Sequence, residues 1–154
     1  MTIPDTVKRY LEQHNIQYEL ITHPVTYTSQ DSARTSHIPD DHIAKAVMVK
    51  DEKGLAIVVV PASDWLKLNA LNSETNRNFE MANENDFSSI FKDCKTGAVP
   101  ALGQAYAIET CFDERLGSLA NVYFEAGDHK HLVHINAEQF KVLFKGLRHG
   151  YFSH

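Results

Sequence analysis

Cysteine is scarce. Cys94 and Cys111 are the 2 in 154 residues, and without CxxC spacing they exclude a disulfide framework and a thiolate zinc site, leaving two buried or partly buried free thiols. Long apolar runs are absent too: the longest, Leu55 to Pro61, falls far short of the roughly 20 residues that cross a bilayer. The opening stretch has no apolar h-region behind a basic n-region, so a cytoplasmic location without a membrane partner is expected. Positive charge is in deficit, with 15 Lys and Arg against 20 Asp and Glu and a formal net charge of −5. That excludes a sequence-indifferent nucleic-acid coat, makes DNA an unexpected partner, and confines any nucleic-acid contact to a local patch. What is present, 43% hydrophobic and 10% aromatic residues, suffices for one sizeable core. Residues 1–147 read as one domain and 148–154 as a frayed tail.

Helical spacing of Ile3, Val7, Tyr10 and Leu11 predicts a first helix over Thr2 to Asn15, with Thr2 and Asp5 as a capping box and Pro4 in the first turn. Ile16 to Thr22 alternates as a half-buried strand, closed by His23-Pro24. A short helix follows from Ser29 to His37, capped by Thr28 with Asp31 three residues on and ended by Pro39. Ile43 to Lys50 and Leu55 to Pro61, rich in Val and Ile around Asp51-Glu52-Lys53-Gly54, form the clearest hairpin. Beyond it the pattern predicts a helix over Asp64 to Leu71, a strand over Asn78 to Met81 and a helix over Glu84 to Phe91. Lys95 to Gly103 reads as an ordered loop, and strands are expected over Ala105 to Ile108 and Thr110 to Phe112. A second hairpin joins Asn121 to Ala126 and His131 to Ile135 across Gly127-Asp128. Asn136, with Gln139 at the capping-box position, opens a last helix with Phe140, Leu143 and Phe144 on its apolar face. Strands and helices do not alternate as βαβ units, so the fold class is α+β: a mixed, largely antiparallel, barrel-like sheet surrounded by helices.

Lys45 lies inside the apolar stretch Ile43 to Val49, where its ammonium either snorkels from a sheet edge or anchors a phosphate or carboxylate. The small residues of Gly97 to Gly103 either form a plain turn or present backbone N–H groups to an oxyanion. His129, after Ala126-Gly127-Asp128, is a surface histidine or a site group titrating near neutrality. A metal reading of His129, His131 and His134 is disfavoured, since in a strand the first two share a face while the third points away. Ser63 and Ser118 lack a nucleophile-elbow context and neither Cys is paired by motif with a His, so covalent hydrolysis is unsupported.

Several of these segments belong together: His23-Pro24, Ala44-Lys45-Ala46-Val47, the strand end Val58 to Ala62, Gly97-Ala98-Val99-Pro100-Ala101-Leu102-Gly103 and Ala126-Gly127-Asp128-His129. In that order, over about residues 5 to 145, the chain resembles the YbaK/prolyl-tRNA-synthetase-associated domain family, which includes aminoacyl-tRNA deacylases and the editing insertion of bacterial prolyl-tRNA synthetase. The resemblance implies a trans-editing deacylase that hydrolyses the ester of mischarged aminoacyl-tRNA, assisted by the tRNA 2′-hydroxyl and without a cofactor or metal. It places catalytic roles on Lys45, which would hold the terminal adenosine and its phosphate, on Gly97 and on His129. Substrate contacts fall on Tyr27, Thr28, Ala46, Ala98, Val99, Pro100, Ala101 and Gly127. In the family's GxxxP-type loop the fifth residue from Gly97 is here Ala101, with Pro100 one place earlier, and the choice among alanyl, cysteinyl, seryl and threonyl esters stays open. The implied partners are the aminoacyl-tRNA acceptor end and a synthetase, with Lys67, Arg77, Lys92, Lys95 and Lys130 as a weak surrounding patch. The rival reading is a non-catalytic module binding tRNA ends or a synthetase.

Overall fold

A computed structural model describes residues 3–154. Helix α1 (Asp5–Gln13) follows Pro4, which stands outside the helix as its N-cap and offers no side-chain cap; the expected Thr2 cap lies outside the described residues. Ile3, Val7 and Leu11, spaced by four, are buried on one face. Strand β1 (Glu19–Thr22) leads to α2 (Ser29–Ser36), where the Thr28 side chain accepts the Asp31 N–H as its sequence position predicts. His37, in the left-handed conformation, ends this helix one residue earlier than expected.

Strands β2 (Ile43–Asp51) and β3 (Gly54–Pro61) form the predicted hairpin, paired from Ala44↔Pro61 to Asp51↔Gly54. Both faces of β3 are covered, which is why its sequence is a continuous apolar run rather than an alternation. Ile57 and Val59 enter a core shared with α1 and the Phe112, Phe140 and Phe144 rings, while Ala56, Val58 and Val60 enter a second core with Leu71, Phe79 and Phe152.

Helix α3 (Leu68–Thr75), strand β4 (Glu80–Met81) and the one-turn helix α4 (Glu84–Phe87) follow. The helix expected over Asp64 to Leu71 therefore starts later, because residues 64–67 are drawn into pairing with the chain end described below. The strand expected over Ala105 to Ile108 is instead a 3-10 turn, Gly103–Tyr106, in which Ala105 N–H reaches Leu102 O and Ile108 N–H reaches Gly103 O. Strands β5 (Glu109–Asp113), β6 (Asn121–Glu125) and β7 (His131–Asn136) precede α5 (Ala137–Leu143), which carries the Asn136/Gln139 capping box.

With β8 (Arg148–Gly150) at the chain end, the described strands form one mixed sheet in the order β1-β7-β6-β2-β3-β5-β8, with β4 on β2. The joins β2–β6, β3–β5 and β5–β8 are parallel and the others antiparallel. No described helix is long and apolar enough to cross a membrane.

The chain end departs from expectation. Far from fraying, residues 148–150 form β8 (Arg148–Gly150) beside β5, and Phe152 is fully buried in the second core. Asp113, itself fully buried, accepts the Phe152 N–H at 3.0 Å and sits 2.8 Å from Ser153 Oγ, so the tail supplies donors that this carboxylate needs. Arg115 binds Asp64, the Ser153 carbonyl and Asp113. Trp65 and His154 exchange backbone hydrogen bonds of 2.8 and 3.1 Å. A polar tail sequence hides this, because one aromatic and one buried acid decide its fate. Phe152→Ala is expected to lower unfolding free energy by about 3–5 kcal/mol in denaturant titrations; an unchanged midpoint would show a tail that does not support the fold.

Candidate functional site

The site originates in an interruption of pairing along β2. Strand β6 pairs with it only at Ile43 and Ala44, and β4 joins only at Val49 and Lys50. Between them, Met48 O accepts the Ala82 N–H on that same side. Strand alternation therefore turns the N–H and C=O of Ala46, two residues earlier, toward the unpaired stretch of edge.

Lys45 points to the other face, which it shares with Val47 and Val49, at the end of the second core. Its Nζ donates to the Asp64 carbonyl at 2.6 Å and lies 5.3 Å from the centre of the Trp65 ring. Among the described residues it meets no carboxylate, since the Asp64 carboxylate is taken by Arg115. Burial pulls the Lys45 pKa below the ordinary lysine value. The ammonium is thus half-buried and oriented, and its charge is paired with no carboxylate among the described residues.

The Gly97 loop reaches the same place through His129. Lys95 N–H donates to Gly127 O at 2.8 Å, and His129 Nε2–H donates to Thr96 O at 2.7 Å, which fixes the donor nitrogen of the imidazole. Gly97 adopts φ +82, a left-handed conformation that favours glycine, against the His129 ring edge. Among the described residues, the Gly97 and Val99 N–H groups donate to no protein acceptor. Segment 23–28 is pinned to the same turn, His23 N–H to Lys130 O and Thr26 N–H to His129 O, and this sets the Tyr27 ring 5.0 Å from the His129 ring.

Together these elements enclose a cavity of about 220 Å³ lined by Tyr27, Thr28, Ser29, Lys45, Ala46, Glu84, Phe87, Gly97, Val99, Glu125 and His129. Of the residues singled out from sequence, Ala98 and Ala101 are instead buried in the core behind the loop, and Pro100 is buried with them. Gly127 also stands behind the cavity. With φ +125 it packs so closely on Pro4 that a Cβ there would lie 2.4 Å from Pro4 Cγ. His129 is not in a strand: it occupies a turn at φ +64, while His131 binds Asp128 and His134 binds Glu19 and Asn121. Among the described residues no group of His, Cys, Asp and Glu is placed to hold a metal ion. Arg77 is committed to Asp51 and Glu109, so it leaves the expected basic patch.

A family model for the aminoacyl-tRNA editing domain matches residues 23–143, the span that holds every lining residue. The chain belongs to that family. No curated protein sequence matches it. Among solved structures, this editing domain is similar to hypothetical protein APE2540, with a TM-score of 0.85 and 20% identity over 97% of this chain and 99% of that one. It is similar as well to a protein described as a candidate trans-editing enzyme for prolyl tRNA synthetase, with a TM-score of 0.83 and 18% identity over 97% and 96% of the two chains. A third, a candidate signal transduction protein from Marinobacter aquaeolei VT8, matches with a TM-score of 0.78 and 22% identity, over 98% of this chain but 31% of its own. At these identities the likeness establishes the mixed α+β fold.

Ser29, Glu84, Phe87 and Glu125 escaped the sequence reading. Only Glu125 carried a usable signal, an acid just before a Gly-containing turn whose successive N–H groups need an acceptor. Its Oε2 accepts the N–H groups of Gly127, Asp128 and His129 at 2.7, 3.1 and 3.2 Å and so shapes the turn that presents the histidine. Even so, burial holds the carboxyl above the ordinary glutamate value of about 4.3. Between that value and the raised one the folded state binds more protons than the unfolded state, so this group makes stability fall as pH rises. In urea titrations across that window, the stability of Glu125→Gln relative to the unsubstituted editing domain should rise with pH; a difference that does not vary with pH would refute the assignment.

Proposed function

We propose that this editing domain hydrolyses, in trans, the ester of mischarged aminoacyl-tRNA bearing a small amino acid of the alanyl, cysteinyl, seryl or threonyl type. The observation that carries the reading is one cavity lined both by Lys45, whose charge meets no carboxylate among the described residues, and by Gly97 and Val99, whose N–H groups donate to no protein acceptor. A cation beside free backbone donors suits a ligand that joins a phosphodiester to a carbonyl. Family membership and the likeness to a candidate trans-editing protein support it.

An aminoacyl ester is labile, so orientation and charge stabilisation supply much of the required acceleration. In the proposed reaction, Lys45 holds the phosphate of the terminal nucleotide and thereby sets the ribose at the cavity. The ribose 2′-hydroxyl orients a water whose oxygen bonds to the carbonyl carbon, while the Gly97 and Val99 N–H groups receive the developing oxyanion. Collapse breaks the bond from the carbonyl carbon to the ribose oxygen, which takes the proton that the attacking water gives up through the neighbouring hydroxyl, and releases free amino acid and uncharged tRNA. His129 acts through the loop: by donating to Thr96 O it holds Gly97 in register. Selection is by volume, because about 220 Å³ must contain the aminoacyl group beside Ala46, Val99 and Phe87. One methylene is worth only about 1–3 kcal/mol in binding, so cognate amino acids are best refused by exclusion. A synthetase partner would supply the tRNA selectivity for which so small a footprint has little room.

A panel of tRNAs mischarged with alanine, cysteine, serine or threonine tests the reading. At least one ester should be hydrolysed, and Lys45→Ala should lower kcat/KM about 100-fold or more while circular dichroism and melting stay near the unsubstituted protein. Absence of turnover on every ester, with tRNA still bound, would establish the non-catalytic module instead.

A further inference from the structure

Beside the described cavity runs a second hollow of about 450 Å³, walled by Trp65, Leu66, Met81 and Phe87 and floored by the Lys45 to Met48 stretch of β2. The two share Lys45, Ala46 and Phe87, so a ligand in one reaches the other without leaving the surface. Trp65 is 79% exposed, an unusual posture for the largest apolar side chain. It is nonetheless firmly based: its N–H and C=O are both paired with His154, and the Lys67 N–H is paired with Phe152 O. An indole on a rigid backbone with open ring surface is a stacking platform that loses little conformational freedom on binding. Lys45 is the one charged residue among the lining groups and bears on that ring, so the hollow favours an anionic strand over an acidic or neutral protein segment.

We propose that this hollow seats a nucleobase of the single-stranded acceptor end, stacked on Trp65, while the adjoining phosphate meets Lys45 and the aminoacyl ribose enters the neighbouring cavity. The assignment rests on the deacylase reading for its ligand, yet its chemistry is separable: stacking on an exposed indole needs no turnover. Stacking also suits a site with few cations, since every base offers a π face and adds affinity without a further phosphate contact.

Trp65 is the single tryptophan, so intrinsic fluorescence reports on this position alone. Titration with the trinucleotide cytidylyl-cytidylyl-adenosine should quench the emission saturably, inorganic phosphate should not, and the stronger of adenosine and cytidine monophosphate identifies which base is seated. Because the side chain is exposed, Trp65→Ala should fold normally and lower kcat/KM for a mischarged tRNA about tenfold, through KM, with Trp65→Phe restoring most of the loss. Quenching by the trinucleotide in a protein that hydrolyses no ester would keep the subsite and remove the deacylase reading. Turnover unaffected by Trp65→Ala, or emission unmoved by the trinucleotide, would overturn the subsite and leave the deacylase reading standing.

Discussion

Strand β2 is short of a partner in its middle, and the site depends on that constraint. An interior strand spends its N–H and C=O groups on both neighbours, but β6 leaves β2 after Ala44 and β4 does not arrive until Val49. A gap in a ladder is costly unless water or a ligand fills it. The protein keeps the gap open by building its walls from elsewhere: the Gly97 loop tied through His129, segment 23–28 tied to the same turn, and α4 closing the end with Phe87. Each wall is fixed by hydrogen bonds within the protein, and among the described residues the Gly97 and Val99 N–H groups are left without a protein acceptor.

Lys45 shows how this arrangement holds a charge ready. A lysine beside a carboxylate would be neutralised and of little use to a phosphate, while one in open water would be free but unpositioned. Here the ammonium is oriented by a carbonyl and an indole, both of which attract a cation without cancelling it. The carboxylate that could cancel it, on Asp64, is drawn off by Arg115. The chain end thus governs the site from a distance. Phe152 buries the tail, the tail pairs with Trp65, and the segment so held presents both the Asp64 carbonyl and the indole to Lys45.

What could be read from sequence follows the range of the forces involved. The Thr28 cap of α2, the Asn136/Gln139 box of α5 and the β2–β3 hairpin were legible because each is decided within a few residues. Lys45, Gly97 and His129 were legible as oddities, a cation in an apolar strand and small residues around turns, and the family pattern gave them roles. The tail was not legible: Arg148 to His154 is polar, and its order depends on Asp113 and Asp64, far away along the chain. For the same reason the stretch from Asp64 to Lys67 looked like the start of a helix, when its backbone is committed to the tail. Ala98, Pro100 and Ala101 were misplaced toward the cavity because a loop's composition does not reveal which residues turn inward to the core.

A net charge of −5 sits oddly with a nucleic-acid substrate only if affinity must come from neutralising many phosphates. Each phosphate neutralised on a single strand steepens the dependence of binding on salt, and a protein that grips its ligand this way needs an array of free cations. This cavity has one, and Arg77, which sequence alone would have recruited, is consumed by Asp51 and Glu109. The remaining means are those the geometry provides: exposed rings at Tyr27 and Trp65, an unpaired strand edge, and a cavity of about 220 Å³. In the proposed reading, such a surface gains little from the body of a tRNA and reads chiefly its last nucleotides and their cargo. That is an economical division of labour for an editing domain, because the error to be recognised lies at the terminus while the rest of the tRNA is the same whether the charge is right or wrong.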